Sequence, residues 1–244
     1  RRCRAGMIFL STSRVYPVSP ISQLPFVEEP TRFVLEPAFA TKGISSAGIN
    51  EEFPLEGTRT LYGTTKLASE LLVQEYSDSF SLPMVVNRCG VLTGPWQMGK
   101  VDQGVIVLWL ARHFFGGELS YIGYKGRGKQ VRDLLNVADL ADLVILQMQN
   151  IEQHRGQIYN VGGGIENSVS LLELTQMCQE LTTRRIPIHP EPMGREGDLP
   201  WFVTDTSKIS EATGWTPQHS VKTTLQEILE WLRENQQLLR SILN

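Results

Sequence analysis

Leu61-Tyr62-Gly63-Thr64-Thr65-Lys66-Leu67-Ala68-Ser69-Glu70-Leu71-Leu72 is the stretch on which the reading of this chain turns. Its pattern is helical from Thr60 to about Ser79, with Leu67, Leu71, Leu72 and Tyr76 falling on one face. Tyr62 and Lys66 are four residues apart, a spacing that stacks both side chains on one side of a helix. A phenol above an ammonium can shuttle a proton, because the cation stabilises the phenolate. A core aromatic beside a solvated amine gives the same spacing, so the pair takes its meaning from the chain around it.

Upstream, GMIFLSTS at 6–13 reads as a buried strand running into a small polar turn. An irregular stretch rich in Pro, Ser, Glu and Gly fills residues 17–57; loops that long inside a domain are usually functional. Downstream, PMVVNR at 83–88 reads as a buried strand followed by the turn CGVLTGP, and Gln103 to Phe115 as a helix. LSYIGY at 119–124 and KQVRDLLNV at 129–137 are strand-like, Asn136 to about Asn150 is helical, and QIYNVGGG at 157–164 is a strand and turn. Ser170 opens a helix to Leu181, with Glu173 at the capping-box position. IPIHP is a short strand, and Ser220 to about Leu239 is one amphipathic helix with Leu225, Ile228, Leu229 and Leu232 inward. Strands alternating with helices predict an α/β fold with a largely parallel sheet.

The 244 residues suffice for one sizeable α/β unit or a domain with a smaller lobe, and no internal repeat is present. Hydrophobic residues at 41% and charged residues at 20% are ordinary for a globular protein. A net charge of −3, from 23 basic and 26 acidic residues, gives no electrostatic argument for nucleic acid or an anionic membrane. No apolar run approaches a membrane span, and the short N-terminal run is too brief for a typical signal-peptide core. Cys3, Cys89 and Cys178 are odd in number and scattered, which predicts a reducing compartment and no metal site. His113, His154, His189 and His219 show no pairing pattern and read as surface or core residues. Trp96, Trp109, Trp201 and Trp215 read as core or interface, with Trp201 also a candidate for a ligand rim because it follows Asp198-Leu-Pro.

Four patterns fall in a fixed order: Ser11-Thr12-Ser13-Arg14-Val15-Tyr16 at a strand end; Tyr62-Gly-Thr-Thr-Lys66; Arg88-Cys89-Gly90 with Gly94-Pro95; and Arg132-Asp133 followed by Arg195-Glu-Gly-Asp198. This ordered set resembles the extended short-chain dehydrogenase/reductases that act on nucleotide-diphosphate sugars, over about residues 7–232. STSRVY, LYGTTKLASE, RCGVLTGPWQMGKVDQGV and YIGYKGRGKQVRDLLNV carry a closer resemblance, to the epimerases of CDP-linked dideoxyhexoses.

The resemblance implies a Rossmann-like parallel sheet with a smaller mixed α/β lobe. Residues 1–95 would be the remaining part of the cofactor domain, and 96–244 mostly the substrate lobe with some return segments. It implies NAD as cofactor and reversible hydride transfer at C2 of a CDP-sugar. Tyr62 would be the general base, Lys66 its cationic partner and a contact for the nicotinamide ribose, and Thr12 a hydrogen-bonding partner of the substrate oxygen. Ser11, Tyr62, Lys66 and Cys89 would lie along the cofactor, and Gln103, Arg132, Arg195 and Asp198 along the nucleotide sugar. Lys100, in the loop before the helix, is a further phosphate candidate. In related 4,6-dehydratases an Asp-Glu pair follows the Thr; here Ser13 and Arg14 stand there, so dehydration is disfavoured.

Two departures stand out. Many relatives carry an Asn shortly after the strand Arg, where this chain has Val91. The family's Gly-rich phosphate turn, G-x-G-x-x-G after a strand, does not occur, so roughly the first hundred residues of the pattern have no counterpart here. The negative charge and the absence of a targeting signal fit a cytoplasmic protein, and the resemblance implies that it could pair with a second copy through the helices after Tyr62. The competing readings are an inactive fragment that binds nucleotide sugar, and a related NAD(P)-dependent sugar reductase or dehydrogenase.

Overall fold

The computed structural model describes residues 4–100, 103–195 and 197–243, so Cys3, Val101, Asp102 and Glu196 of the motifs above lie outside the described residues. In chain order the elements begin with β1 (Met7–Thr12), α1 (Val18–Ser22), β2 (Phe26–Glu28), β3 (Phe33–Leu35), β4 (Ile44–Ser45) and β5 (Gly48–Ile49). Then come α2 (Leu61–Phe80), β6 (Met84–Cys89), β7 (Val91–Thr93), α3 (Val105–Phe115), β8 (Leu119–Ile122), β9 (Val131–Asn136), α4 (Val137–Gln149) and β10 (Ile158–Val161). The remainder is β11 (Ser168–Ser170), α5 (Leu171–Thr182), β12 (Ile188–Glu191), β13 (Trp201–Phe202), α6 (Ser207–Thr213), α7 (Val221–Glu234) and α8 (Gln236–Leu243).

The α/β fold with a parallel sheet is as the alternation predicts. β1, β6 and β10 form one parallel sheet with β6 in the middle, and all six residues of β6 are buried. A second sheet is built on β9, with β7 and β13 parallel to it and β11 antiparallel. β8 and β12 make a separate parallel pair.

The caps are where local chemistry puts them. Thr60 accepts the Gly63 amide at the start of α2, Asn136 accepts the Ala138 amide at the start of α4, and Ser170 and Glu173 close a reciprocal capping box on α5.

Several sequence expectations need correction. β1 is not a buried strand: it is paired only with β6 among the described strands, and Leu10 is 41% exposed. The turn after β6 contains β7, which the short apolar Val91-Leu92-Thr93 makes by pairing with β9. The helix read from Gln103 starts at Val105, after Gly104 in a left-handed conformation. The single tail helix is two, α7 and α8, parted at Asn235. The irregular stretch holds α1 and two short antiparallel hairpins, β2–β3 and β4–β5.

The inward face of α2 is also not the one the leucines suggest. Gly63, Glu70, Val73 and Ser77 are buried, while Leu71, Leu72 and Tyr76 are exposed. The physical reason is Glu70, which forms an ion pair with Arg88 of β6 and so turns a polar stripe inward. In α7, by contrast, Leu225, Ile228, Leu229 and Leu232 are buried as the periodicity predicts. They join α3, α5 and α8 in the largest apolar cluster.

Trp201 is a core residue rather than a rim residue, with its ring centroid 6.1 Å from that of Phe26. His219 is paired: Nδ1 lies 2.7 Å from Asp139 Oδ1, and Nε2 lies 3.4 Å from Glu227. No helix of the described residues is long and apolar enough to cross a membrane.

Candidate functional site

The site grows from the carboxyl ends of the first sheet, where open α/β sheets present their crevices. Parallel register sets Thr12 beside Cys89, and Cys89 beside Val161. After Thr12 the chain folds into a short 3-10 turn, Ser13–Val15, with the Arg14 amide donating to Thr12 Oγ1 at 3.2 Å.

Gly63 brings the first turn of α2 to this point. A Cβ on Gly63 would overlap the carbonyl oxygen of Arg14, so only glycine permits the contact. That approach carries Tyr62 and Lys66 to the side of β1. Lys66 Nζ donates to Leu10 O at 2.9 Å and sits 5.0 Å from the centre of the Phe9 ring. Tyr62 is 55% exposed. The helix and strand thus collect Thr12, Tyr62 and Lys66 at one strand end.

Ser11 and Cys89 are placed differently. The Ser11 hydroxyl donates to Glu70 Oε1 at 2.5 Å, inside the protein. Glu70 also receives three donations from Arg88, the shortest at 2.8 Å. Arg88 Nη1 reaches the Tyr16 hydroxyl, which donates to Asn160 Oδ1 at 2.8 Å. This buried chain ties α2, β1, β6 and β10 together behind the catalytic candidates. Cys89 is buried, and burial pushes its thiol up to about 12, so it is a neutral thiol near pH 7.

Beyond the strand ends lies a cleft of about 650 Å³ between α3, β8 and β9 and the loop before β13. Gln103, Arg132, Arg195 and Asp198 all line it, although they come from three separate parts of the chain. Arg132 Nη2 donates to Asp198 Oδ1 at 2.7 Å, and the same oxygen accepts the Leu199 amide at 2.9 Å. Lys100 exchanges backbone hydrogen bonds with Gln103 and so helps to shape the approach to α3. A volume of this size, lined by arginines and by Val91, Leu92, Leu134 and Val169, suits a ligand that carries both anionic and ring groups.

A smaller pocket, lined in part by Ser13, Arg14, Gly90 and Arg132, adjoins the same region. Arg14, Thr60, Val91 and Arg132 line both, so the cleft runs up to the turn that follows Thr12. Asp133, next in sequence to Arg132, is fully buried and accepts the Gly163 and Gly164 amides at 2.8 and 3.3 Å. Burial raises its carboxyl above the usual carboxylate range, against the opposing effect of Thr204 and the nearby amides.

Two residues of this region carry no role in the sequence reading. Glu70 is the anchor of α2, and its signal was in the sequence: it lies seven residues after Gly63, two turns along the same face. Arg14 entered that reading only as the residue standing where a carboxylate would be. Its guanidinium Nη1 donates to Gly197 O at 2.8 Å, across 183 residues. Burial, then the charge of Arg132, holds Arg14 below the usual arginine range, while Asp198 and Tyr62 work in the other direction.

Comparison with known proteins bears on all of this. Residues 1–162 match the family described as "NAD dependent epimerase/dehydratase family". The chain is 30% identical over 228 residues to CDP-paratose 2-epimerase of Salmonella typhi, covering 93% of this chain and 64% of that protein. It is 27% identical over 187 residues to UDP-glucose 4-epimerase of Corynebacterium glutamicum, covering 73% and 56%. In fold it is similar to UDP-glucuronic acid 4-epimerase from Bacillus cereus, solved in complex with UDP-glucuronic acid and NAD. That likeness has a TM-score of 0.73 at 20% identity and covers 95% of this chain and 64% of that one. The chain therefore spans less than two thirds of the length of each.

Proposed function

The chain belongs to the NAD dependent epimerase/dehydratase family, and from that premise we propose that it epimerises a nucleotide-diphosphate sugar, taking CDP-paratose to CDP-tyvelose at C2. The observation that carries the reading is a juxtaposition. Tyr62, Lys66 and Thr12 gather at one strand end, and the arginine-lined cleft runs up to the turn beside them. In the same proposal residues 1–95 belong to the cofactor domain and 96–244 mostly to the substrate lobe.

The donor set at the strand end fits the nicotinamide ribose of NAD. Lys66 has three N–H donors and spends one on Leu10 O, and Tyr62 is exposed. Bound there, NAD would supply a reversible hydride acceptor for the sugar carbon. Tyr62 takes the C2 hydroxyl proton as hydride departs and returns it afterwards, so protons and electrons balance over the cycle. Lys66 places positive charge where the phenolate forms. Thr12 Oγ1 accepts the Arg14 amide, which leaves its own O–H to donate to the substrate oxygen. Arg132, Arg195 and Gln103 bind the diphosphate, and Asp198 orients the nucleotide ribose.

The lack of a carboxylate pair after Thr12 favours epimerisation over dehydration, because water loss needs an acid and a base at those positions. A second reading is binding of the nucleotide sugar without turnover, for which the arginine-lined cleft alone would suffice.

Calorimetric titration with NAD and with CDP-glucose separates the two. Binding of both, with CDP-paratose epimerised and Tyr62→Phe slower by about 10²-fold or more, is the expected result. Binding of CDP-glucose alone leaves the second reading in place, and binding of neither by the folded chain sinks both.

A further inference from the structure

We propose that Arg14 is the specificity-determining residue of the cleft: it donates hydrogen bonds to an oxygen of the sugar unit and so sets which carbinol faces Tyr62. This rests on the nucleotide-sugar reading above and adds a residue to which that reading gave no role.

Arg14 is held from three sides. Its amide is bonded to Thr12 Oγ1, its carbonyl lies against Gly63, and its guanidinium is bonded to Gly197 O. Gly197 itself has φ +76 and packs over Thr60, so the loop that carries Asp198 is seated directly on the turn that carries Arg14. A guanidinium fixed this way loses little freedom when a ligand arrives. Among the described residues only Nη1 of the Arg14 guanidinium has a hydrogen-bond partner, and no other donor of Arg14 is buried without one. The remaining donors are therefore not sealed inside the protein, and Arg14 lines the cleft.

The position in the cleft identifies the acceptor. Arg132 is paired with Asp198 at the end proposed for the diphosphate. Thr12 and Tyr62 mark the reacting end. Arg14 lies between them, bonded to Thr12 on one side and within the field of both Tyr62 and Arg132. The group that fills this interval in a nucleotide-diphosphate sugar is the sugar. Two like charges, Arg14 and Arg132, also make an oxygen acceptor between them favourable.

The test compares wild type, Arg14→Met and Arg14→Lys by calorimetry, using CDP against CDP-glucose and UDP against UDP-glucose, with melting curves to confirm folding. The expected result is that Arg14→Met weakens the nucleotide sugar by roughly tenfold or more, as for one charge-assisted hydrogen bond, and leaves the bare nucleotide within about twofold. Arg14→Lys should recover part of the loss, which a purely structural role would not predict. Equal weakening of sugar and bare nucleotide, or no weakening, overturns the inference. Wild type that binds CDP or UDP as tightly as its sugar conjugate overturns it too, while leaving the nucleotide site standing. Wild type that binds none of the four overturns the nucleotide-sugar reading and this inference with it. If Arg14→Met does not fold, Arg14→Gln is read by the same criteria.

Discussion

Helices α2 and α7 are built on opposite plans. In α7 the buried side chains are apolar, and the helix is held by Leu225, Ile228, Leu229 and Leu232 against α3 and α5. In α2 the buried positions are mostly polar or lack a side chain, Gly63, Glu70 and Ser77, with Val73 the apolar exception. Burial of apolar surface is non-directional, so it fixes that α7 packs and leaves some freedom in how. The Glu70–Arg88 pair and the Gly63–Arg14 contact are directional. They fix the rotation and height of α2 against β1 and β6, which is what a helix that aims Tyr62 and Lys66 requires.

Removing one partner of the buried pair should have the largest effect. Glu70→Ala leaves the Arg88 cation buried without its carboxylate and is expected to cost about 3–5 kcal/mol of stability by denaturant unfolding. The double variant Glu70→Leu/Arg88→Met should be far closer to wild type in stability, yet lower in turnover because α2 loses its orientation. If the double variant is both stable and fully active, the pair is not what aims α2.

Ile228→Ala tests the other plan. Truncation in the apolar cluster is expected to cost about 2–5 kcal/mol, with ligand affinity per folded molecule unchanged in calorimetry. Affinity lost in step with stability would remove the contrast between the two helices.

A smaller effect belongs to His219, which fastens the segment before α7 to Asp139 of α4. Its hydrogen bond to Asp139 raises its pKa above the ordinary value in the folded state, against a smaller opposing effect of burial. The stabilisation is therefore fully present below about pH 6.5 and is lost as pH rises through the raised value. His219→Asn should flatten the melting temperature across that window. An unchanged slope would show that His219 does not titrate in contact with Asp139.

The smallest effect is expected at Leu72, which is 64% exposed on α2. Leu72→Ala should shift stability by no more than about 0.5 kcal/mol in the same unfolding experiment. A loss comparable with that of Ile228→Ala would mean that the leucine face of α2 is covered in solution.

The contrast between the helices also explains what could be read from the sequence. The alternation of strands and helices, the capping box at Ser170 and Glu173, and the inward face of α7 were legible because each depends on neighbours within a few residues. The inward face of α2 was misread from Leu71, Leu72 and Tyr76, since the partner that buries Glu70 is Arg88, eighteen residues away on another element. β13 escaped notice because two residues carry no period, and Trp201 took the look of a rim residue from its neighbour Asp198.

By itself, then, the sequence determined the α/β class, the helix that carries Tyr62 and Lys66 four residues apart, and the ordered motifs that place the chain in its family. Those properties are local, set by periodicity, caps and spacing along one stretch of backbone. Only the tertiary structure decided that Gln103, Arg132, Arg195 and Asp198 line one cleft, that Ser11 turns inward to Glu70, and that Arg14 reaches Gly197. These are long-range contacts of directional groups, and a hydrogen bond spanning 183 residues leaves no period in the chain that makes it.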